Sequence, residues 1–205
     1  MLHQKKTLLP IIALLTLLSI NTAHADKRGV YISGGFGWSS LYGMPSEEDL
    51  AIAGATQYEE SNFSGRISVG YDFNILPCFG LGAELGWGRY ADVDYGSVGT
   101  MDVSAYDLQL VGTYAPVLSR YSFSVKGGIA KEMMSVPDDL SGSIKGDRDE
   151  YNPIAGFGIS YNITRAMQVH VDYSHIFGHD VTPNTDNSAA PSVDAVLIGL
   201  KRTFA

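Results

Sequence analysis

The chain has a single cysteine, Cys78, and few charged residues for its length. One cysteine excludes a disulfide-stabilised scaffold. Charged residues make up 18% of the 205 positions, whereas about 25% is usual in soluble domains. Basic residues are scarce, because 14 Lys and Arg stand against 22 Asp and Glu, for a net charge of −8. Such a chain lacks the basic surface of a nucleic-acid binder, so we expect no nucleic-acid partner.

Long apolar runs are absent after the first 25 residues. Those residues have the parts of a secretory signal peptide: Lys5 and Lys6, the apolar run Leu8–Leu18, and the cleavage motif Ala23-His24-Ala25. A retained anchor is the alternative, although the run is shorter than the roughly 20 residues that a membrane helix needs. We therefore predict a signal peptide over residues 1–25 and one mature domain over 26–205. Export leaves two classes open, a soluble protein or a membrane β-barrel.

Glycine and aromatic residues are abundant, with 23 Gly, 12 Tyr and 8 Phe. They fall in segments where apolar and small or polar residues alternate, the period of a β-strand. The eight segments are Gly29–Tyr42, Asn62–Phe73, Phe79–Tyr90, Met101–Tyr114, Tyr121–Met133, Tyr151–Asn162, Met167–Phe177 and Val193–Phe204.

The two faces of these segments differ in the size of their side chains. One face is apolar, with aromatic residues near the segment ends, as in the girdles of membrane barrels. The other face is rich in Gly and Ser with single charges, and small residues suit the narrow interior of an eight-stranded barrel. We predict an all-β, eight-stranded antiparallel up-and-down transmembrane β-barrel. We also expect Gly86→Ser, facing inward, to be tolerated better than Arg at outward Leu85 or Leu110.

The connections between segments alternate between long and short. Bacterial outer-membrane barrels have short periplasmic turns and long outer loops, so this alternation predicts that both termini are periplasmic. The long connections are Gly43–Ser61, Ala91–Thr100, Met134–Glu150 and Gly178–Ser192, and the short ones are Asn74–Cys78, Ala115–Arg120 and Ile163–Ala166.

Charge separates between the two ends in the same way. The four long connections carry 14 of the 22 acidic residues and only two bases, Lys145 and Arg148. We therefore expect an extracellular partner to be basic or bridged by divalent cations. The bases of the opposite end are Lys27, Arg28, Arg120, Arg165, Lys201 and Arg202.

Three stretches resemble the small OmpA-like outer-membrane β-barrels of the opacity and surface-antigen type, without a peptidoglycan-binding domain. Gly29–Gly37 resembles their opening strand, Gly156–Tyr173 their penultimate hairpin, and Ile198–Phe204 their closing strand. The resemblance implies an outer-membrane location in contact with lipid and lipopolysaccharide. It also implies that the barrel-assembly machinery reads Gly199, Leu200 and Phe204 as an assembly signal.

Eight ionisable residues fall on the predicted inner face. Charges inside a narrow barrel must be paired or hydrated. Two interpretations stay open, a static salt-bridge network that fills the interior or a polar pathway for small solutes. The residues are Arg66, Asp72, Glu84, Asp107, Lys126, His170, Asp172 and Lys201.

A separate group of residues lies where the seventh segment enters the last long connection: His175, His179 and Asp180. A histidine beside carboxylates can serve as a general base.

The leading hypothesis is a structural or surface-interaction barrel, adhesin-like or antigen-like. The alternatives are a rim-active enzyme acting on lipid A or peptides and a narrow channel. We assign no catalytic residue, cofactor or metal ligand.

Overall fold

The computed structural model describes residues 29–43, 59–76, 78–94, 100–116, 119–135, 148–179 and 190–204. The expected signal peptide and the central parts of the long connections lie outside these residues. The described residues form nine strands: β1 Gly29–Tyr42, β2 Glu59–Ser61, β3 Phe63–Leu76, β4 Phe79–Asp94, β5 Thr100–Tyr114, β6 Tyr121–Ser135, β7 Arg148–Asn162, β8 Met167–Ile176 and β9 Ser192–Phe204.

The strands form one closed antiparallel sheet. Each strand from β3 to β9 pairs with the next along the chain, β1 pairs with both β3 and β9, and the β4–β5 pairing completes the circle. The short β2 pairs with β4 directly beyond the stretch paired with β3, so β2 and β3 are two parts of one interrupted strand. The fold is therefore an eight-stranded up-and-down β-barrel, as the alternation predicted.

The apolar face of each strand points outward. Phe36, Ile67, Leu110 and Val125 are each at least 60% exposed on the isolated chain. Aromatic rings contact one another on this face, with centroids 4.9 Å apart for Phe79–Tyr114 and 5.2 Å for Tyr121–Tyr161. Because strand side chains alternate strictly, these positions confirm the predicted register of inner and outer faces.

The barrel has two different ends. The turn end carries the short connections around residues 77–78, 115–120 and 163–166, and it also holds the Val30–Phe204 pair of the first and last strands. The loop end carries the four longer connections. No helix long enough and apolar enough to cross a membrane occurs within the described ranges.

Several strands extend further toward the loop end than the sequence indicated. The sequence assigned Ala91–Asp94, Met134–Ser135 and Arg148–Glu150 to connections, whereas they belong to β4, β6 and β7. A register shift between Arg89 and Asp92 changes which residues of β4 face inward, which hid the continued alternation. We call residues 88–94, 100–105, 130–135 and 148–152 the strand extension. Its lower limit lies within one residue of a row of outward-facing aromatic residues that includes Trp87, Tyr106 and Tyr151.

Candidate functional site

The middle of the lumen is occupied by a buried arginine and its carboxylates. Arg66 on β3 donates to Asp107 through Nε and Nη2, at 2.9 and 2.6 Å, and to Glu84 through Nη1 at 2.7 Å. Tyr31 on β1 donates its hydroxyl to the other Glu84 oxygen at 2.8 Å. These charge-assisted contacts join four strands across the interior.

The remaining ionisable residues form pairs nearer the turn end. Lys126 Nζ lies 3.0 Å from Asp172, and Lys201 Nζ lies 2.6 Å from Asp72 and 3.6 Å from the centre of the Tyr31 ring. His170 Nε2 lies 3.5 Å from Asp172.

All eight residues of the predicted inner network therefore face the lumen and contact one another in pairs or triads. Sequence reasoning left Tyr31 out of this network because an aromatic residue was not counted among the polar groups. Its inward position in the alternation, opposite Gly70, was the available signal.

A cavity of about 90 Å³ lies between this network and the turn end. Serine and threonine hydroxyls line it together with Lys126, His170 and Lys201. Cys78 and Arg165, from two of the short turns, also line the cavity, so it lies next to the turn end.

The lumen on the other side of Arg66 is filled by an apolar cluster that the sequence did not predict. Tyr90, Val93, Met101, Val103 and Met134 are at most 1% exposed. They pack with further buried side chains of β1, β4, β5, β6, β7, β8 and β9. Among the described residues, the polar lumen thus ends at this cluster, an arrangement that favours a filled interior over the narrow channel.

The outer face of the strand extension carries ion pairs. Arg89 contacts Asp102 and, at 3.6 Å, Asp92, and Lys131 lies 2.7 Å from Asp149. These residues lie level with or beyond the aromatic row, where an outward charge meets water or lipid headgroups instead of acyl chains.

The rim histidines have partners that the sequence did not identify. His175 Nδ1 lies 2.6 Å from Asp194 on β9, and Tyr173 donates to the same oxygen at 2.6 Å. His179 Nδ1 lies 3.2 Å from Glu150 on β7. The two histidines thus belong to separate pairs, and Asp180 lies outside the described residues. Across the described part of the chain, no three His, Cys, Asp or Glu side chains come together as a metal site.

Comparisons with known proteins agree with this architecture. An uncharacterized protein of Coxiella burnetii (strain RSA 493 / Nine Mile phase I) is 26% identical over 228 residues, which cover 88% of this chain and 87% of that protein. The crystal structure of Ail, the attachment invasion locus protein of Yersinia pestis, matches with a TM-score of 0.54 and 14% identity over 86% of this chain and 99% of its own. Neisserial surface protein A matches with a TM-score of 0.50 and 17% identity over 86% and 97%.

The family model described as the outer membrane protein beta-barrel domain matches residues 11–204. This match spans nearly the whole sequence, and the closed eight-stranded fold agrees with it. The chain therefore belongs to the outer membrane protein beta-barrel family.

Proposed function

We propose that this outer-membrane barrel is a surface-interaction protein whose loop end faces the cell exterior and binds a basic or cation-bridged partner. The supporting observation is the concentration of carboxylates at that end. The long connections contain 14 acidic residues and two bases. The barrel itself is the anchor, because a closed sheet satisfies its backbone hydrogen bonds within the bilayer.

The described part of the loop end carries the same bias. Asp94 and Asp149 are exposed, and Asp102 is 43% exposed at its side chain. Arg89 and Lys131 neutralise part of this charge through their ion pairs. The remaining negative field extends over about 8 Å at physiological salt, so it favours cationic partners at short range and weakens with added salt.

Charge-neutral variants test this proposal. Asp94→Asn combined with Asp149→Asn removes two exposed charges, and Thr100→Ala combined with Ser135→Ala is a control in the same region. We expect the double Asn variant in lipid nanodiscs to bind an immobilised lysine-rich peptide more weakly, and cells expressing it to adhere less to matrix-coated surfaces. The surface-interaction role would be excluded by two results together. The double Asn variant and the control would bind the peptide and adhere equally, and trimming each long connection in turn would also leave adhesion unchanged.

A second candidate function is suggested by the His175–Asp194 pair. A carboxylate that holds Nδ1 of a histidine orients the ring and leaves Nε2 as a base, the arrangement used to activate a hydroxyl or water. Asp194 pairs in register with Ser40 and His175, two residues beyond the row of Trp38, Val196 and Tyr173. A base at this level would meet the ester bonds of outer-leaflet lipids.

Lipid analysis separates this candidate from a binding role. The measurement is the mass spectrum of lipid A from cells that express the wild-type protein, His175→Asn or His179→Asn. An enzyme predicts loss of an acyl chain with the wild type and with His179→Asn, and no loss with His175→Asn. Identical lipid A spectra from cells with and without the protein would exclude the hypothesis that it is an enzyme acting on lipid A.

A further inference from the structure

The strand extension contains a buried carboxyl group that forms no ion pair with any described side chain. Glu132 on β6 points into the apolar cluster and is 0% exposed. Its Oε2 accepts a hydrogen bond from Asn152 Nδ2 at 2.5 Å, and its Oε1 has no hydrogen-bond partner within the described ranges. A charge in such surroundings is costly, because apolar neighbours do not replace the hydration that the carboxylate loses on burial.

A second carboxylate lies directly opposite the first. Glu132 and Glu150 are register partners across β6 and β7, and Asn152 Nδ2 also lies 3.3 Å from Glu150 Oε2. Like charges facing each other across a strand pair repel, and this repulsion favours the protonated form of one of two neighbouring carboxyl groups. Glu150 has partners that Glu132 lacks, since it accepts from the Ala190 amide at 2.7 Å and contacts His179.

From this geometry we propose that a proton on Glu132 keeps the loop end of the barrel closed, and that ionisation of Glu132 loosens the apolar cluster. The neutral carboxyl fits among Tyr90, Val103 and Met134, whereas the charged form draws water into the same space. The inference is independent of the proposed surface binding, because it concerns inward-facing side chains only.

Among the side chains that the structure describes, few groups face Glu132. Glu150 faces it from β7, the Tyr90 hydroxyl from β4, and β5 presents apolar Val103 and Ala105 on its inner face. Asp107 lies deeper and is bound by Arg66. His179 contacts Glu150, with 3.2 Å between its Nδ1 and Glu150 Oε1.

The sign of the effect follows from proton binding. The folded protein keeps the Glu132 proton at a pH where the unfolded chain, with a carboxyl that titrates near about 4.3, has released it. The folded state is therefore favoured most in acid. Its stability falls as the pH rises, by at most about tenfold in the folding equilibrium per pH unit, which is the slope of one proton.

Urea unfolding in phospholipid vesicles between pH 5 and pH 8, followed by tryptophan fluorescence, tests the proposal. We expect the wild type to lose stability as the pH rises and Glu132→Gln to be nearly independent of pH. His179→Asn and Asp149→Asn, which alter the neighbouring histidine and an exposed carboxylate, should keep the wild-type dependence. Equal pH dependence in the wild type and Glu132→Gln would overturn the proposal, and so would its loss in His179→Asn.

A direct titration covers the case in which Glu132→Gln does not fold. In the wild-type protein with ¹³C-labelled glutamate carboxyls, Glu132 should titrate well above the exposed glutamates. Amide hydrogen exchange in residues 130–134 and 148–152, corrected for intrinsic rates, should rise over the same pH range. A Glu132 midpoint close to about 4.3, the value of a free glutamate, would contradict the proposal.

Discussion

At the scale of single residues, inward-facing glycines make room for long charged side chains. A Cβ on Gly86 would overlap the Arg66 guanidinium and lie 2.7 Å from Asp107 Oδ2. A Cβ on Gly158 would overlap the Asp172 carboxylate in the same way. These overlaps follow from where the Arg66 guanidinium and the Asp172 carboxylate lie within the lumen, which the alternation of the sequence does not encode.

The first prediction concerns Gly86. Gly86→Ser should destabilise the barrel by about 1–3 kcal/mol, the usual cost of overfilling a packed interior. From the inward position of Gly86 alone, we expected Gly86→Ser to be tolerated better than Arg at outward Leu85 or Leu110. Gly127→Ala is the control, because its Cβ would face outward and lie 4.0 Å from the nearest atom. Urea unfolding in vesicles measures both variants, and equal stability would show that Arg66 moves aside without cost.

The second prediction concerns charge on the outer face. Leu110 is 63% exposed near the middle of β5. Leu110→Arg should cost about 2–4 kcal/mol at the bilayer midplane, whereas Tyr151→Arg at the loop-end aromatic row should cost about 0–1 kcal/mol. The same unfolding assay applies. A larger cost at Tyr151 would mean that the apolar band lies higher on the barrel than the aromatic rows indicate.

At the scale of the strand, the sequence located each element well and misjudged where some of them end. The bounds of β1 agree with the sequence because its alternation runs without a break from Gly29 to Tyr42. In β4 the register shift and the acidic Asp92 and Asp94 resemble a loop, although Ala91 and Val93 are fully buried. Three members of the apolar cluster, Ala91, Val93 and Met134, were missed for this reason, since the sequence assigned them to connections.

The third prediction concerns this cluster. Met134 is 1% exposed and belongs to it, whereas Met133 beside it faces outward and is partly exposed. Met134→Ala should cost about 2–5 kcal/mol, the range for truncating a buried methionine. Met133→Ala should cost much less. Similar costs for the two would indicate that the strand extension is not packed as a core.

At the scale of the whole molecule, the sequence predicted which residues line the lumen and left their pairing open. Arg66 reaches both Asp107, which lies in the row of Ser68, and Glu84, which lies in the row of Gly70, and these offsets depend on barrel register. The choice between a static salt-bridge network and a polar pathway for solutes depended on this pairing. The contacts favour a filled lumen with a cavity next to the turn end.

The fourth prediction follows from this filled lumen. The protein in planar bilayers at neutral pH should show no stable conductance, since the apolar cluster blocks the path between the polar lumen and the loop end. A variant that combines Met101→Ala with Met134→Ala tests whether the cluster blocks the path. If either protein conducts, the double variant should conduct more readily than the wild type. A steady open channel in the wild type would support the channel alternative.

The most direct test of the central claim is the side of the outer membrane on which each end lies. In a Cys78→Ser background, single cysteines replace Asp149 at the loop end and Thr164 at the turn end, both at exposed positions. Intact cells are treated with a membrane-impermeant maleimide. The account predicts that the cysteine at position 149 is labelled in intact cells and that the one at position 164 reacts only after permeabilisation. Labelling at position 164 in intact cells, with position 149 protected, would contradict it.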